Sequence, residues 1–241
     1  MVKKFVLKNG MRVVCERIPY VRSVSTGIWI KTGSLNENTQ NNGISHFIEH
    51  MLFKGTKKRS AEDIAKSIDN IGGQINAFTG KECTCYYTKT LDEHIDIAMD
   101  VLSDMLYNSV FASKNIALEK QVILEEIGMY EDSPEELVHD VLSETVWKGS
   151  AIGYPILGTK GSLHGINRKA IDAYMRERYT PDNMVISIVG NFDESKLEEM
   201  LETYFNKENA APMPERSSMS AEFRPEISVR EKETEQAHIC I

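Results

Sequence analysis

The sequence predicts an α+β fold in which a mostly antiparallel sheet is covered by helices on one face. Strand-like segments are joined by short turns, and helix-like segments come in consecutive blocks. A chain of 241 residues with 41% apolar content can also bury a sizeable core. A doubly wound fold would instead alternate strands with crossover helices, so the sequence disfavours it.

The predicted strands are marked by β-branched residues between turn signals. Residues 3 to 8 and 11 to 17 predict a hairpin around Asn9-Gly10, the strongest short turn signal in the chain. The turn at Gly80-Lys81 predicts a second strand pair. The remaining predicted strands, with that pair, are 24 to 32, 74 to 79, 83 to 90, 184 to 190 and 227 to 241.

The predicted helices are marked mainly by their capping residues. Ser60 with Asp63 resembles a capping box, for a helix that ends near Gly72-Gly73. Ser133-Pro134, with Glu136 in the reciprocal position, predicts another helix start. Ser113 is the predicted cap of a helix over 114 to 131. The other predicted helices cover 92 to 107, 134 to 147, 168 to 178 and 194 to 205.

One short helix carries two histidines and a glutamate, His46-Phe47-Ile48-Glu49-His50. Asn41 or Asn42 is its predicted N-cap, and Gly55 is predicted to end it in a left-handed conformation. At 3.6 residues per turn both imidazoles lie on one face and can bind one zinc ion. Glu49 lies beside that face, where it can take a proton from a zinc-bound water.

An alternative is an amphipathic helix whose histidines are only polar surface groups. The apolar Phe47, Ile48 and Met51 argue against it, because they would bury the helix and buried histidines need partners.

A third zinc ligand is expected from the helix over 114 to 131. Glu119 and Glu126 are two helical turns apart and share a face that Glu125 does not. We expect Glu126 to be the ligand and Glu119 to orient a ligand or relay a proton. Taken alone, this acidic cluster favours a solvated helix face.

Several segments together resemble a known family. HFIEHMLFKGT (46–56) followed by EKQVILEE (119–126) resembles the inverted zinc-binding signature of the pitrilysin/insulinase (M16) zinc metallopeptidases, which include the mitochondrial processing peptidases. NAFT (76–79), YTPDNM (179–184) and VGN (189–191) extend the resemblance over residues 1 to 205.

The resemblance implies roles for individual residues. His46, His50 and Glu126 would bind one Zn²⁺, and Glu49 would be the catalytic base of a zinc endopeptidase acting on extended peptides. Asn76, Ala77 and Phe78 would contact the peptide, and Phe53 would line the cleft; the two phenylalanines are equally compatible with ordinary core packing. A peptide-binding or scaffold subunit without activity is the competing function, since some family members have lost the motif residues that this chain retains.

The resemblance also shapes the predicted domains. We expect a peptidase domain over 1 to 206, a Pro- and Ser-containing linker over 207 to 227, and the first strand of a second homologous domain over 228 to 241. The chain would then be an N-terminal fragment that is weakly active or inactive alone. A separate partner subunit is the alternative to a missing second half. An orphan strand would pair with a sheet edge, which makes a homodimer possible.

Composition limits the remaining classes. A net charge of -8 gives no basic footprint for nucleic acid, although it mildly favours cationic peptides. No stretch is apolar enough to predict a membrane span or a signal peptide. The four cysteines form no CxxC pair, so we expect reduced thiols, packing rather than metal binding, and a cytoplasmic location.

Overall fold

The computed structural model describes residues 1–207, 222–223, 225–233 and 236–241. Within these residues the chain forms six strands and eight α-helices. The strands are β1 (Val2–Val6), β2 (Arg12–Arg17), β3 (Ser23–Ile30), β4 (Gln74–Thr79), β5 (Thr84–Leu91) and β6 (Met184–Gly190). The helices are α1 (Ile44–Leu52), α2 (Ala61–Asp69), α3 (Ile95–Asn108), α4 (Ser113–Asp132), α5 (Pro134–Val146), α6 (Lys160–Gly165), α7 (Arg168–Arg178) and α8 (Glu194–Phe205).

The six strands form one sheet in the order β1-β2-β6-β3-β5-β4. Every pairing is antiparallel except that of β2 with β6. The predicted mostly antiparallel α+β fold is therefore confirmed. Because β6 lies between β2 and β3, residues 184–190 belong to the same sheet as the N-terminal strands. The zinc-motif helix α1 packs beside β4, the strand at one edge of this sheet.

The two faces of the sheet differ in burial. On the inner face, alternating residues such as Val24 and Ile28 of β3 and Ile186 of β6 are at most 1% exposed and join the helices in one core. Trp29, Phe78 and Tyr87 lie on the outer face and are between 37% and 42% exposed. Helices thus cover one face of the sheet, as the sequence predicts.

The turns are predicted better than the helix caps. Gly10 adopts a φ of +92° in the β1–β2 turn, and Ser60 and Asp63 form the predicted reciprocal capping box. Pro134 occupies the first turn of α5, but the Ser133 side chain makes no cap hydrogen bond. Likewise Ser113 is the first residue of α4 rather than its cap.

The N-cap predicted at Asn41 or Asn42 is also wrong, because Gly43 caps α1. Gly43 has a φ of +91°, and a Cβ there would lie 2.7 Å from the carbonyl oxygen of Leu157. The predicted left-handed Gly55 is present, with a φ of +113°, three residues beyond the end of α1.

The predicted strand at the C-terminus does not form. Residues 225–233 and 236–241 have no strand structure, and a strand cannot form without a partner that satisfies its backbone groups. These residues, together with 222–223, instead lie along α5 and its C-terminal end, where Phe223 packs edge-on against Trp147 and Arg230 pairs with Glu144. Most of the predicted linker falls outside the described residues, and the domain boundaries stay a prediction.

Two further sequence expectations concern composition. All four cysteines are free thiols, and burial raises the pKa of Cys85 to about 12. No helix in the described part of the chain combines the length and apolar character that a bilayer crossing needs.

Candidate metal centre

Two helices bring the three predicted zinc ligands together. His46 and His50 are one turn apart on α1, and their ring centroids are 4.5 Å apart. Glu126 reaches them from α4, with its Oε2 3.8 Å from the Nε2 atom of each histidine. One nitrogen or oxygen from each residue lies within 4.8 Å of the other two. The i,i+4 spacing on α1 and the packing of α4 against it create this arrangement.

The chemistry of this trio fits a divalent cation. Burial, and next the neighbouring His50, lower the pKa of His46 from 6.5 to about 3, so its ring stays neutral and keeps a lone pair. The Oε2 atom of Glu126 is buried without a hydrogen-bond partner among the described residues, and 3.8 Å is too long for a hydrogen bond. The site thus gathers acceptors and offers no matching donor. Two imidazoles and one carboxylate are also a ligand set that zinc takes in catalytic sites, with a fourth position open.

A second carboxylate orients His50. Glu119 is buried, and its Oε1 lies 2.9 Å from Nδ1 of His50, which leaves the Nε2 atom of that ring facing Glu126. The other carboxylate oxygen of Glu119 lies 2.8 Å from the Nζ of Lys54. Asn115 in turn donates a hydrogen bond to the carbonyl of Lys54. A carboxylate on the distal nitrogen is the arrangement that fixes the tautomer of a metal-binding histidine.

The predicted base, Glu49, is held by the edge strand of the sheet. The hydroxyl of Thr79, the last residue of β4, donates a hydrogen bond to Oε2 of Glu49. Burial is the largest influence on this carboxyl and raises its pKa above the ordinary value, although the Thr79 hydroxyl and His50 both act to lower it. A carboxylate with a raised pKa is better matched to proton transfer near neutral pH than an exposed one.

The predicted peptide-contact residues lie on both faces of β4. Ala77 is half-buried on the face that Thr79 shares, which is the side of Glu49, whereas Asn76 and Phe78 point to the other side of the strand. Phe78 packs edge-on against Trp29, with ring centroids 5.6 Å apart. Phe53 is half-buried and packs against the core at the end of α1.

Within the described residues β4 ends the strand order, so one side of its backbone has no neighbouring strand. The N–H of Ala77 donates to its neighbouring Asn76 Oδ1 at 2.8 Å rather than to β5. In an antiparallel ladder the N–H and C=O of one residue point the same way, so both backbone groups of Ala77 face the open edge.

Comparison with known proteins identifies the family. The model described as insulinase (peptidase family M16) matches residues 12–160, and the model described as the M16 inactive domain matches residues 165–241. This chain belongs to peptidase family M16. The chain is 48% identical over its whole length to a zinc protease of Bacillus subtilis, of which it covers 58%, and 40% identical over its whole length to one of Streptomyces coelicolor, of which it covers 54%.

Solved structures agree on the fold of this M16 chain. A protease from Helicobacter pylori superposes with a TM-score of 0.82 at 24% identity, over 92% of this chain and 54% of that one. A putative M16-like peptidase from Alicyclobacillus acidocaldarius gives a TM-score of 0.81 at 23% identity, over 89% and 52% of the two chains. The chain thus spans little more than half the length of the relatives that it matches.

Sequence reasoning missed three residues that support the site: Thr79, Lys54 and Glu37. Thr79 lies in the quoted NAFT segment, but only the fold shows that its hydroxyl points toward Glu49. Lys54 lies in the quoted zinc signature, yet its partner Glu119 is 65 residues away. Glu37 precedes α1 and gives no sequence signal of its contacts, which all depend on how the loop before α1 folds back.

Proposed function

We propose that the protein containing this chain is a zinc-dependent endopeptidase that hydrolyses peptide bonds in extended peptides or unfolded segments. One observation carries the proposal: two imidazoles and a carboxylate oxygen without a hydrogen-bond partner among the described residues converge beside a half-buried glutamate that a substrate-edge residue holds. The names of the relatives as zinc proteases support the same chemistry. His46, His50 and Glu126 would hold the ion. When bound, zinc supplies a Lewis acid that polarises the scissile carbonyl and makes water more acidic.

Glu49 performs the proton transfers in this proposal. Its Oε2 accepts a hydrogen bond from the Thr79 hydroxyl, which leaves Oε1 to take a proton from the attacking water. This half-buried carboxyl, whose pKa is raised, holds that proton and delivers it to the leaving amine. Glu119 keeps the His50 ring in one orientation throughout.

The open edge of β4 is the proposed peptide-binding element. An extended peptide can pair with the outward backbone groups of Ala77 and thereby displace the side-chain oxygen of Asn76 from the Ala77 N–H. Recognition through backbone groups selects extended shape more than sequence. The edge strand ends at Thr79, so a peptide bound there lies next to Glu49. Contacts from the side chains of Phe78 and Phe53 stay predictions.

The whole protein would contain more than this chain. Relatives of almost twice its length support a second homologous half-domain as the partner of this one, with the isolated chain weakly active or inactive. A cytoplasmic location and a homodimer stay predictions. A non-catalytic peptide-binding role is the competing proposal. The match of residues 165–241 to the family's inactive-domain model supports this alternative.

Cleavage of a quenched fluorescent peptide by the full-length protein tests this proposal, together with its zinc content. Glu49→Gln should keep zinc and lose roughly two to four powers of ten in turnover, because the amide cannot accept a proton. His50→Ala and Glu126→Gln should lose the metal. Glu125→Gln is the matched control, since Glu125 is exposed on α4 beside Glu126. A wild-type protein that binds zinc and peptide without cleaving would support the non-catalytic role; loss of zinc in Glu49→Gln would make Glu49 a ligand.

A further inference from the structure

The two histidines of the proposed zinc site differ in how they are oriented. His50 has its Nδ1 atom fixed by Glu119 at 2.9 Å. The Nδ1 atom of His46 is buried and has no hydrogen-bond partner among the described residues. Metal-binding histidines are ordinarily oriented by a hydrogen bond to the distal nitrogen. The orientation of His46 must therefore come from packing and from the backbone that carries it.

That backbone is the N-terminus of α1, where no residue of the first turn is acidic and the cap is a glycine. Gly43 has no side chain to accept a hydrogen bond, and close contact with Leu157 excludes any other residue at this position. The first N–H groups of a helix still need acceptors. Their acceptor must come from elsewhere in the chain.

Glu37, in the loop before the helix, supplies the missing acceptor. Its Oε2 accepts hydrogen bonds from the Gly43 N–H at 2.7 Å and the Asn42 side chain at 2.9 Å, and its Oε1 accepts the Ser45 N–H at 2.9 Å. Ser45 directly precedes His46. Its hydroxyl also contacts the Tyr174 hydroxyl at 2.9 Å, which ties the same turn to α7.

The Glu37 carboxylate is placed at an energetic cost. It is 7% exposed and makes no ion pair with a lysine or arginine in the described part of the chain. Burial is the main influence and raises the pKa of Glu37, and the hydrogen bonds from Ser45, Gly43 and Asn42 offset this only in part. A buried carboxylate without a cation costs stability unless its hydrogen bonds are all made.

We propose that Glu37 is the positioning residue for His46, which it orients through the N-terminal turn of the helix in place of a hydrogen bond to the ring. The inference rests on the proposed zinc site and goes beyond it, since the Glu37 carboxylate accepts hydrogen bonds from Asn42, Gly43 and Ser45 and from none of the three proposed zinc ligands. Glu119 fixes the second histidine through its ring, and Glu37 fixes the first through its main chain.

The isosteric variant Glu37→Gln tests this. Three donors face the carboxylate, so an amide that offers one acceptor and one donor group leaves at least one N–H opposed by another N–H. In the full-length protein we expect zinc affinity, measured by competition with a chelator, to fall about 10- to 100-fold, as for other groups that orient metal ligands. Glu37→Asp keeps a carboxylate one carbon shorter and should recover part of the affinity.

Asp104→Asn is the matched control for general destabilisation. Asp104 is 1% exposed and holds Thr56, Arg59 and Asn108, but it contacts no residue of the proposed site. The Asp104→Asn protein should bind zinc with an affinity close to that of the wild type. A Glu37→Gln protein that binds zinc within twofold of the wild type would overturn the proposal, as would an equal loss in Asp104→Asn.

Hydrogen exchange in the metal-free protein separates this proposal from the proposed function. The Gly43 and Ser45 amides should exchange faster in Glu37→Gln while the central amides of α3 do not. Unchanged protection at Gly43 and Ser45 would overturn the positioning role whether or not the wild type binds zinc. If Glu37→Gln does not fold, Tyr174→Phe, which removes the hydroxyl contacts to Ser45 and Thr32, should weaken zinc binding in the same direction; unchanged affinity there would count against the proposal.

Discussion

Helices α1 and α5 are both amphipathic, yet the fold uses them differently. Seven of the nine residues of α1 are buried, whereas none of the thirteen residues of α5 is. α1 is enclosed by β4, α4 and α7 and held at its N-terminus by Glu37. The apolar side of α5 faces irregular chain at residues 222–223, 225–233 and 236–241, through contacts such as Phe223 against Trp147 at the end of the helix, and α5 otherwise packs against α4 and the turn Ala151–Gly153.

The difference shows what a metal centre needs from a helix. An ion bound by three side chains tolerates displacements of only a few tenths of an ångström in its ligands, so its helix must be fixed on every side. α5 carries none of the proposed ligands and lacks that enclosure. The burial of its apolar face therefore depends on the segment that lies over it.

Core truncation should give the largest contrast between the two helices. Phe47 of α1 is 0% exposed, so Phe47→Ala should cost about 3–5 kcal/mol of unfolding free energy. Val141 of α5 is only half-buried, and Val141→Ala should cost less than about 1.5 kcal/mol. Urea unfolding of the metal-free chain measures both. Equal losses would mean that α5 is packed as tightly as α1.

Substitution of Lys54, just beyond the C-terminal end of α1, should give the next largest effect. Lys54→Met removes the cation beside Glu119, which then holds the His50 ring less firmly, so zinc affinity should fall about 10- to 100-fold. Lys54→Arg keeps the charge and should lose less.

Lys120→Met provides the control for Lys54→Met. Lys120 neighbours Glu119 on α4 but is directed to the carbonyl of His164. If Lys54→Met and Lys120→Met bind zinc equally well in chelator competition, Lys54 has no orienting role.

The two helices also show how far the sequence predicts the molecule. Local signals were sufficient for the hairpin at Gly10, the capping box of Ser60 and the shared face of His46 and His50, because each depends on residues a few positions apart. The sequence predicts the cap of α1 at Asn41 or Asn42 because both side chains suit that position. The residue that accepts the hydrogen bonds of this helix end is in fact Glu37. Its role follows from the close packing of Gly43 against Leu157, and no local sequence pattern encodes that packing.

The predicted C-terminal strand is absent from the described residues for the opposite reason. Its alternation of apolar residues is a valid strand pattern, but a strand also needs a neighbour, and none pairs with it among the described residues. The predicted catalytic and ligand residues converge because α1 and α4 pack together, while the peptide-contact residues divide between the two faces of β4. Sequence patterns locate side chains on elements; packing decides which of them meet.

The smallest expected effect concerns the segment that covers α5. Arg230 and Glu144 form an ion pair at 3.1 Å with exposures of 53% and 67% for the two side chains, so their coupling should be only about 0.2–1 kcal/mol. A double-mutant cycle of Arg230→Ala and Glu144→Ala, followed by urea unfolding, measures it. The coupling should weaken in roughly 1 M salt, where the Debye length is about 3 Å.

The exposed pair Lys66 and Glu62 within α2 is the reference for that cycle, because its partners are joined by one turn of helix and need no docking. A coupling for Arg230 and Glu144 comparable to this local pair means that the segment is docked on α5 in its own chain, since a free segment would give none. Sedimentation then distinguishes docking in cis from exchange between copies: if a 241-residue chain and one that ends at residue 226 both run as monomers, the segment docks in cis and the predicted homodimer does not form through it. Coupling near zero, or association that disappears with the truncation, would show that α5 is covered by something other than its own C-terminal segment.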